Sequence, residues 1–299
     1  MTTDTATSAI TFFGGKGGVG KTSVAAAYAL RLAGMGHRTL LVSTDPAHSL
    51  GDALEVPLGD TAREVVQQLW VREPDAEAAV RRRVAEVTED AYQAVPREIM
   101  PAVRRHLSHA AESPGMVESA LADQLVDAMA AVPGTWERLV VDSAPTGHLL
   151  RMLHLPEVLT PWVRGLSQQR ERAMRADRFA GDVLGSAQKQ EEDPLLGKLH
   201  QRRHRLEGAA RRLREDCLVR LVLLPRRMVL AETERAAREL LDSGIRLGPA
   251  VLNQIPATPD PELLAAARRG FATQGMREIA LLDREPTGVA ALRELSGRV

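Results

Sequence analysis

The amino-acid sequence predicts an α/β protein with a doubly wound, mainly parallel sheet and an inserted α-helical subdomain. Short apolar runs rich in β-branched residues alternate along the chain with longer segments of helical character. The runs that we interpret as buried strands are residues 9–13, 38–43, 138–142, 217–225 and 248–256, with a last strand and helix in residues 277–295. Alternating strand and helix favours a parallel sheet with helices on both faces.

The first strand leads into a glycine-rich loop, GGKGGVGKT, at residues 14–22. The alanine- and leucine-rich segment after the loop ends at Gly34 and Gly36, as a helix does. Residues 15–22 fit the pattern G-x-x-x-x-G-K-[ST], which requires this order of strand, glycine loop and helix. The sequence therefore predicts a sheet of the P-loop NTPase type, in which backbone N–H groups of the loop cradle phosphate.

The loop also predicts the contacts of a bound nucleotide. Lys21 would neutralise the β- and γ-phosphates of ATP, and the hydroxyl group of Thr22 would hold Mg²⁺. Lysine suits this position because its ammonium group is a compact point charge. ATP and Mg²⁺ are the expected cofactors. The loop residues expected at the nucleotide are Gly15, Lys16, Gly17, Gly18, Val19, Gly20, Lys21, Thr22 and Ser23.

A second lysine in the loop, Lys16, is not needed for phosphate binding alone. The chain has four lysines, and two of them lie in this loop. The stretch KGGVGKT resembles the deviant P-loop of the family that includes the arsenite-pump ATPase (ArsA), the tail-anchored-protein targeting ATPase, the septum-site and partition ATPases and nitrogenase iron protein. The resemblance implies that Lys16 is catalytic and reaches the nucleotide of a second subunit, as an arginine finger does elsewhere. It therefore implies a homodimer.

Two later segments narrow the resemblance to one branch of the family. Residues 43–54, STDPAHSLGDAL, and residues 142–153, DSAPTGHLLRML, resemble switch I and switch II of the ArsA and tail-anchored-targeting branch. In a parallel sheet, a carboxylate at the end of a strand faces the crevice where ligands bind. Asp45 is expected to orient or deprotonate the attacking water, and Asp142 to hold a water on Mg²⁺. Thr22, Asp45 and Asp142 are thus the residues expected around the metal.

The contacts to the adenine base are expected near the end of the chain. In the family, the asparagine of an "NQ" pair after the penultimate strand reads the adenine, which implies this role for Asn253. A side-chain amide offers one donor and one acceptor to the adenine edge. Arg226 stands where relatives carry a nucleotide-contacting glutamate, and Ala280 stands where a proline opens the purine loop. We keep Arg226 among the expected nucleotide contacts, with altered chemistry.

Two regions have helical rather than sheet character. Residues 74–132 carry one apolar stripe of Val80, Val84, Val87, Ala91 and Val95 and another of Val117, Leu121, Leu125, Ala128 and Val132. Residues 149–166 are strongly apolar. The polar, glycine-containing segment 168–198 is expected to be mobile, and the arginine-rich helix after it to expose one face.

These patterns predict one ATPase domain over residues 1–299, with a helical subdomain formed by about 74–132 and 155–215. The resemblance implies that the helices lie above the nucleotide sites, where the targeting ATPase holds a hydrophobic client helix. The alternative is that the stripes bury one another. The small number of methionines in the insert favours this alternative, because adaptable client grooves are rich in methionine.

Composition restricts the possible partners and compartment. The formal net charge is zero, so we expect no nucleic-acid partner, and no stacking aromatic residues accompany the arginine-rich helix. The single cysteine, Cys217, fits a reducing compartment and cannot form a CxxC zinc site. Two histidine pairs at helical spacing lack a third ligand nearby, so we expect no structural zinc. Without a signal-like start or an apolar run of about 20 residues, a cytoplasmic location is expected.

The patterns together predict a Mg²⁺-dependent ATP hydrolase that works as a homodimer and couples hydrolysis to a protein client or membrane partner. One hypothesis is a carrier of hydrophobic membrane-protein segments. A second is the soluble ATPase subunit of an anion or metalloid efflux pump. A third is a nucleotide-switched positioning module like the partition ATPases. The PAHS and PTGH stretches favour the first two. Against a metalloid site, one cysteine per chain cannot supply three soft ligands even across a dimer.

Overall fold

The computed structural model describes residues 8–45, 49–94, 98, 100–112, 114–144, 146–183 and 194–299. Their elements, in chain order, are β1 (Ile10–Gly14), α1 (Lys21–Gly34), β2 (Thr39–Ser43), α2 (Ser49–Leu54), β3 (Arg63–Val66), β4 (Leu69–Arg72), α3 (Ala76–Ala94), α4 (Met100–Ala111), α5 (Pro114–Ala130), β5 (Arg138–Asp142), α6 (Thr146–Val183), α7 (Pro194–Glu215), β6 (Cys217–Leu223), α8 (Arg227–Asp242), β7 (Ala250–Ile255), α9 (Pro261–Gly270), β8 (Met276–Ala280) and α10 (Gly288–Ser296).

The strands form one sheet in the order β3-β4-β2-β5-β1-β6-β7-β8. Every neighbouring pair is parallel except β3 and β4, which are antiparallel. The predicted doubly wound, mainly parallel α/β fold is thereby confirmed. The first strand, β1, lies between β5 and β6, so the glycine-rich loop that follows it starts from the middle of the sheet.

The hairpin formed by β3 and β4 was not predicted from the sequence. Its turn, at residues 67–68, consists of two glutamines, and Gln68 adopts a left-handed conformation with φ of 68°. Turns of this kind are usually marked by glycine or asparagine. The outer strand β3 is only half-buried and has little of the apolar character that identifies the central strands.

The central strand β1 is buried along its full length. Ile10, Phe12 and Phe13 are completely inaccessible to solvent, as expected for a parallel strand covered on both faces. Against Phe13 lies a buried arginine of β6, Arg220, whose guanidinium carbon is 5.6 Å from the centre of that ring and 5.0 Å from the ring of Tyr28. Cation–π contacts of this kind allow a charged side chain to pack in an apolar core.

The chain divides into two compact units. The first comprises residues 1–75, 127–151 and 212–299 and contains the sheet; the second comprises residues 76–126 and 152–211 and is helical. The sequence-based division into one ATPase domain with a helical subdomain remains a proposal alongside this description.

In the second unit, parts of the two predicted apolar stripes bury one another. Val80 is buried together with Ala79 and Ala120, and Val84 and Val117 pack against this cluster. An ion pair in the same unit joins Asp123 to Arg83 and Arg202. Leu121 and Leu125 are also buried in this unit. Ala128 and Val132 are instead buried in the first unit, and Val95 lies outside the described residues.

The segment 168–198, which was expected to be mobile, is helical where the structure describes it. Helix α6 continues without a break to Val183 and α7 begins at Pro194, whereas residues 184–193 lie outside the described part of the chain. Residues 168–176 are mostly Gln, Arg, Glu, Ala and Met, which are good helix formers. The change from apolar to polar sequence therefore does not end the helix. Among the helices that the structure describes, none is long and apolar enough to cross a membrane.

Candidate functional site

Three neighbouring strands end together at the base of the candidate site. In the sheet, Asp142 at the end of β5 is paired in register with Phe13 of β1 on one side and with Ser43 of β2 on the other. The glycine-rich loop leaves β1, and the segment that contains Asp45 leaves β2. The residues predicted from separate sequence motifs are therefore brought to one edge of the sheet.

The glycine-rich loop presents the amino terminus of α1. Gly20 precedes the helix in a left-handed conformation with φ of 85°, and neither a capping side chain nor an acidic residue in the first turn occupies the helix terminus. These amides are thus available to an anion such as phosphate. Lys21 is buried at the start of the helix, and its Nζ donates a hydrogen bond to the carbonyl oxygen of Lys16 at 3.3 Å.

Asn253, at the carboxyl half of β7, supports the loop from beneath. Its Nδ2 donates to the carbonyl oxygen of Val19 at 2.9 Å. A Cβ atom at Gly20 would lie only 2.5 Å from the same Nδ2, so glycine is required there both by space and by its positive φ. Asn253 lines the candidate cavity, but one of the two N–H groups of its amide is engaged by the loop, and its role in reading adenine remains a prediction.

Three oxygen-bearing side chains meet where a metal would bind. Thr22 Oγ1 donates to Asp142 Oδ2 at 2.8 Å and lies 3.1 Å from Ser49 Oγ. Because the single hydroxyl proton of Thr22 is used by Asp142, the second hydrogen bond is donated by Ser49. Ser49 opens α2 and lies in the stretch that resembles switch I, although sequence reasoning did not assign it a role.

Asp142 is completely buried, and its Oδ1 has no hydrogen-bond donor among the described residues. Burial raises the pKa of this carboxyl group to about 7, whereas the hydrogen bond from Thr22 and the charge of Lys21 oppose the increase. The nearby carboxylates of Asp45 and Glu73 raise the pKa further. A cation, or water bound to a cation, would satisfy the unpaired oxygen and the excess of negative charge.

The donor set suits Mg²⁺. Hydroxyl and carboxylate oxygens are hard ligands, and Mg²⁺ characteristically uses one or two carboxylates together with water and substrate phosphates. In the part of the chain that the structure describes, no group of three or more His, Cys, Asp or Glu residues could hold a metal ion. The residues present at Thr22 and Asp142 therefore fit a metal that is also held by a bound nucleotide.

A cavity of about 710 Å³ extends from the loop along this edge of the sheet. Its volume falls in the range of small-molecule sites. Of the predicted residues it is lined by Gly17, Gly18, Gly20, Lys21, Thr22, Ser23, Asp45 and Asn253. Asp45 is partly buried, and its amide donates to Ser43 Oγ at 3.2 Å. The motif residues Pro46, Ala47, His48 and Pro145 lie outside the described residues.

The cavity is also lined by a segment near the end of the chain, of which the sequence indicated only Ala280: Ala280, Leu281, Leu282, Arg284, Glu285, Pro286 and Thr287. Arg226 does not line it. This arginine is exposed and precedes α8 as its amino-terminal flanking residue. Four other predicted residues do not line the cavity themselves. They lie close to residues that do, either in the chain or through the hydrogen bonds described above: Gly15, Lys16, Val19 and Asp142.

Lys16 points to a carboxylate of its own chain. Its Nζ is 2.9 Å from Glu232 Oε2 on α8, and both side chains are more than two-fifths exposed. Sequence reasoning did not predict Glu232 as a partner, because the two residues are separated by 216 positions and no motif joins them.

The fold and the phosphate loop together define a P-loop nucleotide hydrolase. The chain matches the anion-transporting ATPase family, ArsA, over residues 8–298, and it belongs to that family. Its relatives include a Schizosaccharomyces pombe protein named ATPase get3, which is 30% identical over 85% of this chain and 76% of its own length. The resemblance inferred from the sequence is thus confirmed, as is the assignment to ATP hydrolases.

Other relatives carry the names of arsenical pump-driving ATPases. One, from Aquifex aeolicus, is 29% identical over 90% of this chain and 87% of its own length. Another, from Escherichia coli, is 30% identical over 86% of this chain. The chain spans only 41% of that E. coli protein.

The pKa of Asp142 generates a test of the buried carboxylate. Because the folded-state pKa is raised, Asp142 contributes stability that is fully present below its ordinary pKa of 3.8 and is lost as the pH rises through about 7. Between pH 5 and pH 8, we expect wild-type protein without nucleotide or metal to lose about 2 to 3 kcal/mol of unfolding free energy relative to Asp142→Asn. Urea denaturation across this pH range measures the difference. Parallel pH dependences of the two proteins would show that Asp142 does not titrate there.

The hydrogen bond from Asn253 generates a second test. If Asn253 mainly supports the loop, Asn253→Ala should weaken binding of ATP and GTP by similar factors, because both bind through phosphates. The buried Val19 carbonyl would lose its donor, so stability should fall by about 1 to 3 kcal/mol. Fluorescent-nucleotide titration and thermal denaturation measure the two effects. Loss of ATP affinity with unchanged GTP affinity would instead support direct reading of adenine.

Proposed function

We propose that this protein is a Mg²⁺-dependent ATPase that acts as a homodimer and couples ATP hydrolysis to a partner. The observation that supports the proposal most strongly is the hydrogen bond from Thr22 to the buried Asp142 beside Lys21, with the other carboxylate oxygen unpaired among the described residues. In a P-loop site these are the residues that hold the metal and neutralise the phosphates.

In the proposed reaction, the amino terminus of α1 and the ammonium group of Lys21 bind the β- and γ-phosphates. Thr22 would ligate Mg²⁺ and Asp142 would hold one of its waters, and the bound metal would neutralise charge on the phosphate oxygens. Asp45, at the wall of the cavity, would orient the attacking water and accept its proton. All four side chains come from segments anchored at the same edge of the sheet, so little reorganisation is needed within the loop.

Lys16 is the residue that leads us to propose two subunits. In the single chain it is not directed at its own phosphates but paired with Glu232 at the surface. Ion pairs that are this exposed contribute about 0.2 to 1 kcal/mol, so exchange of Glu232 for a phosphate of a second subunit is energetically accessible. A lysine in that position would stabilise negative charge that develops during phosphoryl transfer.

For the partner, we propose a hydrophobic membrane-protein segment, as carried by a targeting ATPase. The relative named ATPase get3 and the helical second unit support this choice. A second candidate, a subunit of an anion or metalloid pump, is supported by the family description and by the relatives named arsenical pump-driving ATPases. Cys217 argues against a metalloid ligand set in this chain, because the thiol is buried and burial raises its pKa to about 12. Stimulation of ATP turnover by a hydrophobic helical peptide, compared with stimulation by arsenite, distinguishes the two partners.

Replacement of Lys16 tests the homodimer proposal. We expect Lys16→Ala to keep nucleotide affinity, since Lys21 and the loop amides remain, and to hydrolyse ATP about 10³-fold more slowly, as on removal of a trans-acting cation. Mixing Lys16→Ala with Asp45→Asn should restore part of the activity, because one composite site then contains an intact Lys16 and an intact Asp45. Steady-state ATP turnover measures both effects.

The matched control is Lys198→Ala. Lys198 has the same exposed fraction as Lys16 and also pairs with a carboxylate, Asp90, but it lies in the helical unit. Its replacement should leave turnover unchanged. Normal hydrolysis by Lys16→Ala, or failure of the mixture to recover any activity, would contradict the trans-acting role.

A further inference from the structure

The buried carboxylate of Glu73, which belongs to none of the sequence motifs, is hydrogen-bonded to the first turn of α2. Glu73 directly follows β4 and is 5% exposed. Its Oε1 accepts a hydrogen bond from the amide of Leu50 at 2.8 Å, and its Oε2 accepts one from the amide of Gly51 at 3.1 Å. Both amides belong to the helix terminus, where no backbone carbonyl of the helix is available to them.

The main chain around Glu73 favours these hydrogen bonds to α2. The amide of Glu73 donates to the carbonyl oxygen of Gly59 at 3.1 Å, which fixes the position of its own main chain. A Cβ atom at Gly51 would lie 3.1 Å from Glu73 Oε2 and 3.1 Å from the carbonyl oxygen of Val56. Glycine at position 51 therefore allows the carboxylate to approach the helix closely.

The first turn of α2, which Glu73 holds, also contacts the residues proposed to bind the metal. Ser49, immediately before Leu50, forms the hydrogen bond to Thr22, and Thr22 in turn donates to Asp142. A continuous set of hydrogen bonds thus runs from Glu73 through the first turn of α2 to Asp142. Asp45 precedes Ser49 by only four residues in the chain.

A purely structural cap would not require a buried charge here. Exposed or partly exposed Ser, Thr, Asn and Asp residues commonly cap helices. Burial of a carboxylate is costly unless it is well paired, and no lysine or arginine in the described part of the chain pairs with Glu73. Its negative charge also raises the pKa of Asp142, so it adds to the excess of negative charge that a metal ion would offset.

We propose that Glu73 is a positioning residue for ATP hydrolysis. Its carboxylate holds the first turn of α2 so that Ser49 keeps its place against Thr22 while the phosphates and the metal are bound. This inference rests on the proposed function, because it assigns Glu73 to the metal side of that site. Glu73 itself touches neither the phosphate loop nor the cavity that the loop lines.

The test uses Glu73→Gln and Glu73→Ala in the full chain, with kcat and KM for ATP measured separately at saturating Mg²⁺. Glutamine keeps the size of the side chain and one acceptor, whereas alanine removes both acceptors. We expect kcat to be highest for wild type, lower for Glu73→Gln and lowest for Glu73→Ala. The decrease for Glu73→Ala should be about 10- to 100-fold, as when groups around a reacting centre are displaced by about 1 Å. KM for ATP should stay within about threefold of wild type, because Lys21 and the loop amides are unaffected.

Asp260→Ala is the matched control. Asp260 also caps a helix, since its Oδ1 accepts from the amides of Glu262 and Leu263 at the start of α9, but no residue of α9 lines the candidate cavity. Its replacement should lower the melting temperature without changing kcat. A lower melting temperature with unchanged kcat for both Glu73 variants would show that Glu73 is only a structural cap and would overturn the inference.

Gly51→Ala perturbs the same contact from the helix side without removing a charge. It should lower kcat in the same way, and unchanged kcat in this variant would count against the positioning role even if Glu73→Ala fails to fold. The outcome for the proposed function is separate. If wild-type protein does not hydrolyse ATP with Mg²⁺, the proposed function fails, whereas normal wild-type turnover with normal Glu73→Gln turnover rejects only the role of Glu73.

Discussion

The hydrogen bond between Thr22 and the buried Asp142 connects the phosphate loop to the sheet, and the candidate site depends on it. Asp142 ends β5, Thr22 lies in the first turn of α1, and the bond between them is 2.8 Å long. The bond uses one oxygen of a fully buried carboxylate and leaves the other unpaired among the described residues. Such an arrangement is unfavourable by itself, because an unpaired buried carboxylate oxygen retains its desolvation penalty. A bound cation would offset this penalty, and we therefore propose that a metal binds there.

The remaining contacts position this pair with respect to a nucleotide. Asn253 holds the loop through the carbonyl group of Val19, and the absence of a side chain at Gly20 permits that approach. Ser49 approaches Thr22 from α2, and Glu73 holds α2 in turn. Groups from four strands are thus combined at one edge of a parallel sheet, which is the location where open α/β sheets bind ligands. In the proposed site, the loop amides would supply affinity for phosphate, and the surrounding contacts position the loop.

Much of the fold and the centre of the site could be predicted from the sequence, because both depend on local patterns. Central strands such as residues 138–142 are continuous apolar runs, and the loop has a spacing that only a phosphate-binding turn requires. The contacts between Lys16 and Glu232 and between Glu73 and α2 depend instead on the three-dimensional arrangement of distant segments. Glu73 in particular follows an unpredicted hairpin whose turn contains Gln68 rather than glycine, so no local signal indicated its position.

The helical region also shows which structural features local sequence patterns could predict and which they could not. Apolar periodicity identified Val80 and Val84 as members of one stripe and Val117 as a member of another, because helical spacing is a local property. That these residues pack in one cluster depends on how the helices meet, which the sequence left open. The polar character of the sequence after Leu166 did not indicate where α6 ends. A helix continues as long as its residues favour helical structure, whether or not one face is apolar. Pairing of Arg202 with Asp123 likewise depended on a neighbouring helix, so the expectation that the arginine-rich helix simply exposes a face was wrong for this residue.

The role of the Thr22–Asp142 pair in metal binding is tested most directly by calorimetric titration of ATP in the presence of Mg²⁺ or EDTA. Wild-type protein and Asp142→Asn would be compared at pH 8, where the carboxyl group is ionised. We expect Mg²⁺ to tighten ATP binding by wild-type protein, and this gain to be reduced about 10- to 100-fold in Asp142→Asn, as for other groups that support a metal through water. Affinity in EDTA should not decrease, because the variant removes a negative charge near the phosphates. An equal gain from Mg²⁺ in both proteins would contradict the assignment of Asp142 to the metal.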